Sequence, residues 1–430
     1  MPAIPSPDLT AARQAAQGWM RTGHILGALL ALHGALGDIF ELPLPGFRSV
    51  VLVGPDANKL VLMESRERLL WRAEGDPVTR LLRQGLLVTD GTFHDELRQM
   101  MTPALHKRLF DGFAEVMWRD TDRVTCRWRD GARIDLLDEM RRVALLILTD
   151  TLFKDDFDPY IGALWKDILR TIRYISPGPW LIWPGMPRVG YRRAIRRMDD
   201  YCYRLIARRR GQSGVGTDLL AQLIASGMSD DLIRDQLLTM FIAGHDTSTA
   251  LLAWTLHLLS LHPDVLARAR AEIDAVVGEG VPVPAHVRQL SYLDAVIKET
   301  LRLYPPIHLG SRIAATDFVF REYRIPAGTR VLYSIYLTHH DPKYWSAPET
   351  FNPDRFSPTH SRGRAAYTFL PFGGGPRNCI GAAFAQVEAK VVLARLLQRY
   401  DFQAAGGSVR PRMRATLEPR PGVVVTVRRR

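Results

Sequence analysis

Apolar residues recur at helical spacing along most of this chain, and strand-like alternation is confined to short segments. The longest helical pattern begins after Ser229, whose hydroxyl is suited to cap a helix, and stops at His262. Pro263 then fits the first turn of a following helix. A helix of this length is about 45 Å long, enough to cross the whole molecule. The pattern therefore predicts one long central helix in a largely helical fold.

Shorter elements flank this helix on both sides. Residues 39–44 and 47–53 are predicted to be two strands joined by a turn at Pro45-Gly46, and helical periodicity dominates from about residue 56 onward. Further predictions are helices over residues 25–36 and 291–303, and strands over residues 316–320, 331–337 and 423–428. The fold class that follows is mainly α with small β-sheets (α+β).

No linker or change of composition divides the chain. The glycine-rich stretch over residues 211–216 follows a basic helix end and is interpreted as a loop inside a domain. With 430 residues, of which 47% are hydrophobic and 24% charged, the chain can bury one very large core. We therefore predict a single domain over residues 1–430, in which residues 1–38 form a helical lead-in.

Charge and cysteine content exclude several classes of protein. The net charge is +12, but the arginines are scattered and no motif that reads nucleic acid accompanies them, so we expect no nucleic-acid partner. The cysteines Cys126, Cys202 and Cys379 form no CxxC pair, which disfavours a disulfide framework and a zinc site. The apolar run over residues 25–36 is shorter than the roughly 20 residues of a membrane span, and no convincing signal-peptide cleavage site follows. We expect a cytoplasmic protein without a transmembrane anchor, in which Cys126 and Cys202 are structural.

The segment around Cys379 carries the strongest chemical signal. It reads Phe372-Gly373-Gly374-Gly375-Pro376-Arg377-Asn378-Cys379-Ile380-Gly381, and a helical pattern begins at Ala382. A glycine-rich turn lets the backbone approach a flat ligand closely, and the N-terminus of a helix favours a cysteine thiolate. No Lys-Ser/Thr pair follows the glycines, which excludes a phosphate loop. A lone cysteine is usually inert core, but this context favours a ligand.

The spacing Phe-x-x-Gly-x-Arg-x-Cys-x-Gly resembles the haem-ligand signature of the cytochrome P-450 family, and the agreement extends from about residue 39 to the C-terminus. The resemblance implies haem b (iron protoporphyrin IX), held between the long central helix and the helix after the cysteine loop, with Cys379 as the iron ligand. It also implies cofactor contacts from Phe372, Gly373, Arg377 and Gly381.

The long helix carries Ala243-Gly244-His245-Asp246-Thr247-Ser248, which resembles the oxygen-activation motif of the same family. Thr247 can donate to the carbonyl of Ala243 one turn earlier and bend the helix, and Gly244 leaves room beside the iron. The resemblance implies that Ala243 and Gly244 line the cofactor, and that Asp246 with Thr247 delivers protons to the distal oxygen. In this role Thr247 orders a water molecule and Asp246 connects that water to solvent. Taken alone, this motif would be a polar patch on a helix.

Glu299 and Arg302 share a helix face at i, i+3, which alone would indicate a solvated ion pair. Together with Arg355 in Pro353-Asp354-Arg355-Phe356, they resemble the family's Glu-x-x-Arg and Arg cluster. A buried ion network of this kind fixes geometry more than it adds stability. We assign it to shaping the cysteine loop and interpret the neighbouring His339-His340 pair as structural.

Four basic side chains are candidates to hold the two haem propionates. His94 and Arg98 lie at i, i+4 on a predicted helix, and Arg312 and Arg377 complete the set. Guanidinium groups pair with carboxylates in a bidentate fork, although each of these residues alone could be a surface cation. His94 stands where membrane-anchored relatives usually carry Trp, which indicates a bacterial type of enzyme.

Substrate contacts are expected from loops over residues 84–88, 171–185 and 307–309 by family analogy. The candidate residues are Leu87, Val88, Trp180, Ile307 and Leu309. The apolar tip at Trp180-Leu181-Ile182-Trp183 is either a substrate entrance or a small satellite core. An apolar pocket suits a fatty acid, a terpenoid or a polyketide, and the sequence does not choose among them.

The implied reaction inserts one atom of O2 into a small lipophilic substrate, by hydroxylation or epoxidation, with electrons from NAD(P)H. Family members normally end near Val427, so we expect the electrons from a separate ferredoxin or flavodoxin with its reductase. Basic residues expected near the cysteine face either steer such an acidic partner or are solvated surface charge: Lys107, Arg108, Arg362, Arg364 and Lys390.

Two other functions stay open. One is a peroxygenase or isomerase on the same fold, which uses hydrogen peroxide or a peroxide substrate and no redox partner. The other is a haem-based sensor or carrier that keeps the cysteine ligand and does no chemistry. The pair of Asp246 and Thr247 disfavours both, because an acid and an alcohol beside the oxygen serve proton delivery.

Overall fold

The computed structural model describes residues 1–44, 47–177, 188–212 and 216–430. Within these ranges the chain is mainly helical, as predicted. The α-helices are α1 (Leu9–Thr22), α2 (Ile25–Leu36), α3 (Pro55–Lys59), α4 (Pro77–Leu82), α5 (Gly91–Met101), α6 (Phe110–Thr125), α7 (Leu136–Leu148), α8 (Asp158–Ile175), α9 (Arg192–Arg210), α10 (Leu219–Ala225), α11 (Asp230–Leu261), α12 (Pro263–Val276), α13 (Pro284–Gln289), α14 (Ser291–Leu303), α15 (Ile335–His340), α16 (Pro358–Ser361) and α17 (Ala382–Arg399). Two π-helical turns, Leu60–Glu64 and Thr149–Phe153, interrupt the pattern.

Short strands form small sheets beside the helices. They are β1 (Ile39–Leu44), β2 (Phe47–Leu52), β3 (Leu69–Leu70), β4 (Arg133–Asp135), β5 (Gly310–Ala314), β6 (Phe318–Phe320), β7 (Tyr323–Ile325), β8 (Arg330–Tyr333), β9 (Tyr400–Ala404), β10 (Arg410–Met413), β11 (Leu417–Arg420) and β12 (Val424–Arg429). The largest sheet has the order β1-β2-β8-β5-β3, and the smaller ones are β4-β12-β9, β10-β11 and β6-β7.

One strand pair joins distant parts of the chain. β2 runs parallel to β8, with Val50 opposite Val331, whereas the other strand pairs among the described residues are antiparallel. Because a parallel pair cannot be closed by a hairpin, the chain must cross over between the two strands. Here the crossover includes most of the helices.

The long central helix is confirmed. α11 extends from Asp230 to Leu261, the hydroxyl of Ser229 accepts a hydrogen bond from the N–H of Leu232 at 3.3 Å, and Pro263 begins α12. Most of α11 is buried, and it packs against α7, α9, α14 and α17. Apolar residues all round its circumference make it a core helix. Among the described residues, no single helix is long and apolar enough to cross a membrane, and α11 with α12 meets that test only as a pair bent by 113°.

Other predicted elements agree with the structure to within a few residues. The predicted helices over residues 25–36 and 291–303 are α2 and α14, and the predicted strands over residues 39–44 and 47–53 are β1 and β2. The turn predicted at Pro45-Gly46 lies outside the described residues, as does the middle of the predicted loop over residues 211–216.

Three predicted boundaries are wrong. The strand over residues 331–337 ends at Tyr333, because the hydroxyl of Ser334 accepts from the N–H of Leu337 at 3.1 Å and starts α15. The strand over residues 316–320 shortens to β6. The first part of the loop predicted over residues 171–185 is helical, since α8 continues to Ile175.

Candidate active site

The cysteine loop, residues 371–381, is held in a tight turn before α17. The N–H of Cys379 donates to the carbonyl of Phe372 at 2.8 Å, and the carbonyl of Cys379 accepts from the N–H of Ala382 at 3.3 Å. These bonds close the loop on itself and connect the cysteine to the first residue of α17. The cysteine therefore has one fixed position relative to the helix behind it.

Gly375 brings the cysteine loop into contact with the π-helical turn at Leu60–Glu64. Its φ is +67°, and a Cβ at this position would collide with the backbone carbonyl of Leu62. Only glycine fits both the left-handed backbone and the close approach. The glycine-rich sequence thus serves packing between two segments that are distant in the chain.

The sulfur of Cys379 faces a recess within the protein. The side chain is exposed, yet nearby protein atoms desolvate the thiol and raise its pKa, while the N–H of Gly381 and the charge of Arg98 act in the opposite direction. Exposure combined with desolvation describes a group that faces open space enclosed by protein. Because a thiolate is a soft metal ligand, this sulfur can ligate a metal ion in the recess.

The middle of α11 borders open space as well. Three residues there are partly exposed although the residues before and after them are buried: Ala243, Gly244 and Thr247. They lie on one side of the helix, since residues three and four apart are neighbours on a helix surface. The hydroxyl of Thr247 donates to the carbonyl of Ala243 at 2.7 Å, as the sequence predicts.

Gly244 has a packing role that the sequence analysis did not foresee. A Cβ on Gly244 would lie 2.6 Å from Cδ1 of Leu148 on α7. The glycine therefore lets α7 and α11 approach closely. We expected the missing side chain of Gly244 to leave room beside the cofactor. Leu148 occupies that room instead, and only the backbone of Gly244 faces open space.

Asp246 is turned away from the open space beside Thr247. Its carboxylate is 1% exposed, accepts from Nη2 of Arg141 at 3.2 Å and accepts from the hydroxyl of Thr416 at 2.8 Å. Successive residues on a helix point about 100° apart, which separates the Asp246 and Thr247 side chains. The expected connection from Asp246 to solvent is therefore absent from this arrangement of the described side chains.

Arg141 links Asp246 to a second buried acid. Nη2 of Arg141 donates to Oε1 of Glu418 at 2.7 Å. Burial raises the pKa of Glu418, and the neighbouring Asp246 raises it further. Burial alone would lower the pKa of Arg141, but the carboxylates of Asp246 and Glu418 outweigh it, and the pKa is raised. The guanidinium is thus shared by two acids from different parts of the chain.

The four predicted propionate ligands differ in what they contact. Arg98 donates to the carbonyl of Asn378 at 2.9 Å and to its Oδ1 at 2.7 Å, which ties α5 to the cysteine loop. Arg377 contacts Asp90 at 2.6 Å, and burial is the main reason that its pKa is lowered to about 10. His94 is buried, and its Nδ1 lies 2.9 Å from Oδ1 of Asp95.

Arg312 on β5 is the most informative of these cations. It is 6% exposed, donates to the carbonyl of Ser311 at 2.7 Å, and forms no ion pair with any described carboxylate. The positive charge of Arg312 lowers the pKa of Arg377, so the two guanidinium groups are neighbours. A buried guanidinium without an acid is costly, and a carboxylate from a bound group would satisfy it.

The predicted ion network is present, with Glu299 and Arg302 fully buried and Arg355 partly buried. Arg302 donates to the two carboxylate oxygens of Glu299 at 2.7 and 2.8 Å, and Nε of Arg355 donates to Oε1 of Glu299 at 3.2 Å. The same oxygen accepts from the N–H of Asn352 at 3.0 Å. Glu299 and Arg302 are both completely buried, so the acceptors are satisfied by a closed set of partners.

His339 connects this network to the cysteine loop. Arg302 donates to the carbonyl of His339 at 2.9 Å, and the imidazole lies between the carbonyl of Arg302 and the N–H of Leu370. The carbonyl of Leu370 accepts from Gly373 in the loop at 3.1 Å. From the sequence, His339 was interpreted only as structural, and its connection between Arg302 and Leu370 was not predicted.

Glu388 on α17 was also missed. Its Oε2 accepts from the hydroxyl of Ser248 on α11 at 2.6 Å, and burial raises its pKa to about 8. A sequence signal was available, because Phe384, Glu388 and Val391 repeat at helical spacing on the buried face. An acid among apolar residues on a core face indicates a specific partner.

The predicted substrate residues differ in burial. Leu87 is partly buried, Val88 is fully buried in the core, and Ile307 is 42% exposed. Leu309 packs against the apolar cluster around α2 and β2. Trp180, with the rest of the tip through Trp183, lies outside the described residues.

Two of the five predicted partner-steering cations are used inside the protein. Lys390 pairs with Asp294 at 2.8 Å, and the guanidinium of Arg364 lies 4.5 Å from the Trp345 ring centroid. These contacts engage both cations within the protein, and their role in steering a partner stays a prediction. Arg108 and Arg362 are exposed, and the side chain of Lys107 lies outside the described residues.

The remaining cysteines offer no comparable site. Cys202 is buried, and desolvation raises its pKa to about 12. Cys126 is exposed, but its Sγ donates to the carbonyl of Arg123 on its own helix at 3.1 Å. Cys379 alone of the three combines exposure with an N–H and a cation beside the sulfur.

The donor set suits an iron porphyrin. A soft sulfur ligand lies at the start of α17, and α11, which packs against α17, presents a partly exposed strip around Thr247. The buried Arg312 has no ion pair with an acid among the described residues and can donate hydrogen bonds to a propionate. These residues could hold haem with its iron on the sulfur and its carboxylates on the arginines.

Comparison with known proteins points to one family. The profile of the family described as Cytochrome P450 matches residues 13–427. A Mycobacterium tuberculosis protein named for this family is 30% identical over 420 residues, which covers 94% of this chain and 97% of that protein. A Streptomyces melanosporofaciens protein named "Cyclooctat-9-en-7-ol 5-monooxygenase" is 30% identical over 409 residues, covering 91% of this chain and 87% of its own length. "Cyclooctatin synthase" of the same organism is 31% identical over 411 residues, covering 91% and 89%.

Proposed function

The chain belongs to the cytochrome P450 family, and from that premise we propose that Cys379 ligates the iron of haem b and that the enzyme oxygenates a lipophilic organic substrate. It is a cytochrome P450 monooxygenase with a haem cofactor. We further propose that residues 1–430 act as one domain.

The exposed and desolvated sulfur of Cys379 carries the assignment of the iron ligand. The N–H of Gly381 and the guanidinium of Arg98 stabilise a thiolate there, as does the N-terminus of α17. When bound, haem supplies the redox-active iron at which O2 is activated, and a thiolate ligand favours cleavage of the O–O bond.

The spectrum of the reduced protein under carbon monoxide tests this ligand. We expect the red-shifted Soret band typical of thiolate ligation in the wild type and in Cys126→Ala and Cys202→Ala. Cys379→Ala and Cys379→Ser should lose it. A Cys379→Ala variant that keeps the band would contradict the proposal.

We assign the haem propionates to Arg98, Arg312, Arg377 and His94. Arg312 supports this assignment most directly, since its buried guanidinium has no carboxylate among the described residues. Arg98 uses one N–H of each terminal nitrogen on Asn378 and keeps further donors for a propionate. Phe372, Gly373 and Gly381 would border the porphyrin from the sulfur side.

Thr247 would position water on the oxygen side of the haem. Its hydroxyl proton is given to the carbonyl of Ala243, which leaves the oxygen free to accept from a water molecule in the open space. Thr247 therefore orients a proton donor. A water molecule held in this way can pass a proton to a reacting oxygen.

Asp246 would resupply that water with protons. Both of its oxygens are engaged, one by Arg141 and one by Thr416. The carboxylate can relay a proton only after it exchanges one of these partners for water. We therefore assign Asp246 a gated role, in which the release of Arg141 or Thr416 precedes proton transfer.

The names of two relatives bear on the substrate, and exposed cations bear on the redox partner. Two Streptomyces relatives carry the names "Cyclooctat-9-en-7-ol 5-monooxygenase" and "Cyclooctatin synthase", which favours a lipophilic substrate. Leu87, Ile307 and Leu309 remain candidate contacts. We propose that a ferredoxin or flavodoxin with its NAD(P)H-dependent reductase supplies electrons, and that Arg108 and Arg362 attract this acidic partner.

Turnover assays separate this function from the two alternatives. A panel of lipophiles is first screened for a change of the haem spin state, which reports displacement of the distal water without a redox partner. Product formation that depends on NAD(P)H, ferredoxin and reductase supports a monooxygenase. Turnover with hydrogen peroxide and none with the reductase system would indicate a peroxygenase, and haem with gas binding but no product would indicate a sensor.

A further inference from the structure

The hairpin of β10 and β11 carries its charges on one face. Arg412 is directly opposite Glu418, and Arg410 is directly opposite Arg420. Side chains alternate along a strand, so residues two apart share a face, and Arg414 just beyond β10 joins the same side. By this register Arg412, Arg414 and Glu418 share one face, which we call the arginine face, while the guanidinium of Arg410 reaches Gly23 in the turn between α1 and α2.

The opposite side of the hairpin is apolar. Leu417 and Met413 are directly opposite each other and pack with the cluster that contains Leu26 and Leu29. Trp254 on α11 donates to the carbonyl of Leu417 at 2.8 Å. The hairpin is thus fixed from behind, and on the arginine face Glu418 contacts Arg141 of α7.

Contacts at the tip of the hairpin locate this face. The N–H of Ala415 donates to the hydroxyl of Ser176 at the end of α8 at 3.1 Å, and Thr416 donates to Asp246 on α11 at 2.8 Å. Arg173 lies one turn before Ser176 on α8. The tip therefore lies between the end of α8 and the side chain of Asp246 on α11.

Positive charge exceeds negative charge at this face. Glu418 is shared, because Arg141 approaches Oε1 at 2.7 Å and Nε of Arg414 approaches Oε2 at 3.6 Å. Arg173 and Arg412 form no ion pair with a described residue. Like charges across a strand pair and beside it repel each other, which costs free energy unless an anion is bound between them.

The pKa values of the hairpin arginines indicate that positive charges lie close together here. Desolvation lowers the pKa of Arg412, and the charges of Arg414, Arg420 and Arg173 lower it further. Desolvation also lowers the pKa of Arg414, on which Arg173 and Arg141 act in the same direction. Arg173 of α8 therefore lies within electrostatic reach of both hairpin arginines.

We propose that Arg173, Arg412 and Arg414 bind a carboxylate or phosphate group carried by the substrate. The inference rests on the proposed monooxygenase function and specifies its substrate class, a lipophile with an anionic end. Guanidinium forks match both anions in geometry and charge, and partial burial strengthens the contact. Glu418 and Arg141 would connect the bound anion to Asp246 through hydrogen bonds.

Calorimetric titration of the haem-loaded enzyme tests the proposal. The probes are sets with equal alkyl chains: fatty acids from hexanoic to hexadecanoic acid, their methyl esters and the corresponding alkyl phosphates. We expect the acid and the phosphate of a set to bind more tightly than the ester. Arg173→Gln and Arg412→Gln should each weaken binding of the anions by about 10-fold or more and leave the ester unchanged, because each removes a charge-assisted hydrogen bond.

Two control variants separate the effect from general changes. Arg129→Gln removes an exposed arginine elsewhere and should change no affinity. Arg412→Lys keeps the charge and loses the planar fork, so its affinity for the anions should lie between those of the wild type and Arg412→Gln. Melting curves of all variants establish that they are folded.

Several outcomes would overturn the proposal. These are equal binding of acid and ester by the wild type, an equal loss for both in the variants, and no binding by any member of the sets. Inorganic phosphate that binds as tightly as an alkyl phosphate would exclude a substrate site, since the alkyl chain would then contribute nothing. The thiolate band is measured separately, so loss of this inference is distinguishable from loss of the proposed function.

Discussion

The Nε2 atom of His339 accepts a hydrogen bond from the N–H of Leu370 at 3.0 Å, and Nδ1 lies 3.2 Å from the carbonyl of Arg302. An N–H can only donate and a carbonyl can only accept, so the ring carries its proton on Nδ1. Burial holds the pKa of His339 well below its ordinary value, which keeps the ring neutral. One tautomer of one histidine thus joins the buried ion network to the cysteine loop.

Removal of this imidazole should loosen the cysteine loop. In His339→Ala we expect the reduced carbonyl complex to lose its thiolate-shifted Soret band on mild heating, at a lower temperature than in the wild type. His340→Ala is the matched control, because His340 is also buried on α15 and, among the described residues, its ring bonds to the carbonyl of Tyr336 on its own helix. If both variants lost the band at the same temperature, the link to Leu370 would have no special role.

Glu299→Ala should abolish stable haem incorporation. The change strands the fully buried Arg302, and breaking a buried pair typically costs about 3–5 kcal/mol. Lys298→Ala is the neighbouring control, since it removes a partly exposed ion pair with Asp294 that is worth about 0–1 kcal/mol. The measurements are the haem-to-protein ratio and the midpoint of urea unfolding. A Glu299→Ala variant with full haem content would contradict the structural role.

Thr247→Ala should uncouple electron transfer from product formation. Haem and substrate should still bind, while product per NAD(P)H oxidised falls and hydrogen peroxide rises, with product formation reduced by about 10²–10⁴-fold. Thr249→Ala removes the same kind of bond, from the Thr249 hydroxyl to the carbonyl of His245 at 2.7 Å, on a buried side of α11. Coupling should be intact in that control. Equal coupling in Thr247→Ala and the wild type would argue against the proton role.

Stability should fall as pH rises toward 8, in part because of Glu388. Its folded pKa of about 8 exceeds the ordinary value of 4.5, so the folded state holds a proton that the unfolded state has released across this window. Glu388→Gln keeps an acceptor for the Ser248 hydroxyl and cannot ionise. Relative to the wild type, its free energy of unfolding should therefore increase between about pH 5 and pH 8, on the order of a few kcal/mol. Urea unfolding at several pH values tests this, and a constant difference would show that Glu388 does not titrate in this range.

The sequence predicted the elements whose local signals agree with their tertiary environment. α11 was found with its cap at Ser229 and its end before Pro263, because apolar periodicity and capping residues coincide there. The strand predicted through residue 337 is too long. The β-branched and aromatic residues there favour a strand, but the hydroxyl of Ser334 caps the first turn of α15 and so ends the strand before residue 334. Short strands such as β5 and β9 were missed, since pairing with distant strands determines them.

Within the site, local contacts were predictable and long-range contacts were not. Thr247 donates to the carbonyl of Ala243 and Arg302 pairs with Glu299, as the sequence predicts, whereas the roles of these residues and of Cys379 stay predictions. Asp246 was expected to reach solvent, but its environment is set by Arg141 and Glu418, which come from other parts of the chain. No local pattern contains such a contact, because it forms only when β11 packs against α7 and α11.

The contact between Gly375 and the carbonyl of Leu62 has a consequence for biosynthesis. The same pairing of early and late segments occurs where β2 lies beside β8. Long-range contacts of this kind cannot form until the ribosome has released the later partner, and they slow folding because loop closure comes first. β2 and the turn at Leu60–Glu64 therefore lack their later partners, β8 and Gly375, for most of translation. Binding of the cofactor is therefore one of the last steps in the folding of the newly synthesised chain. A chaperone that shields the unpaired early segments would raise the yield of the holoenzyme.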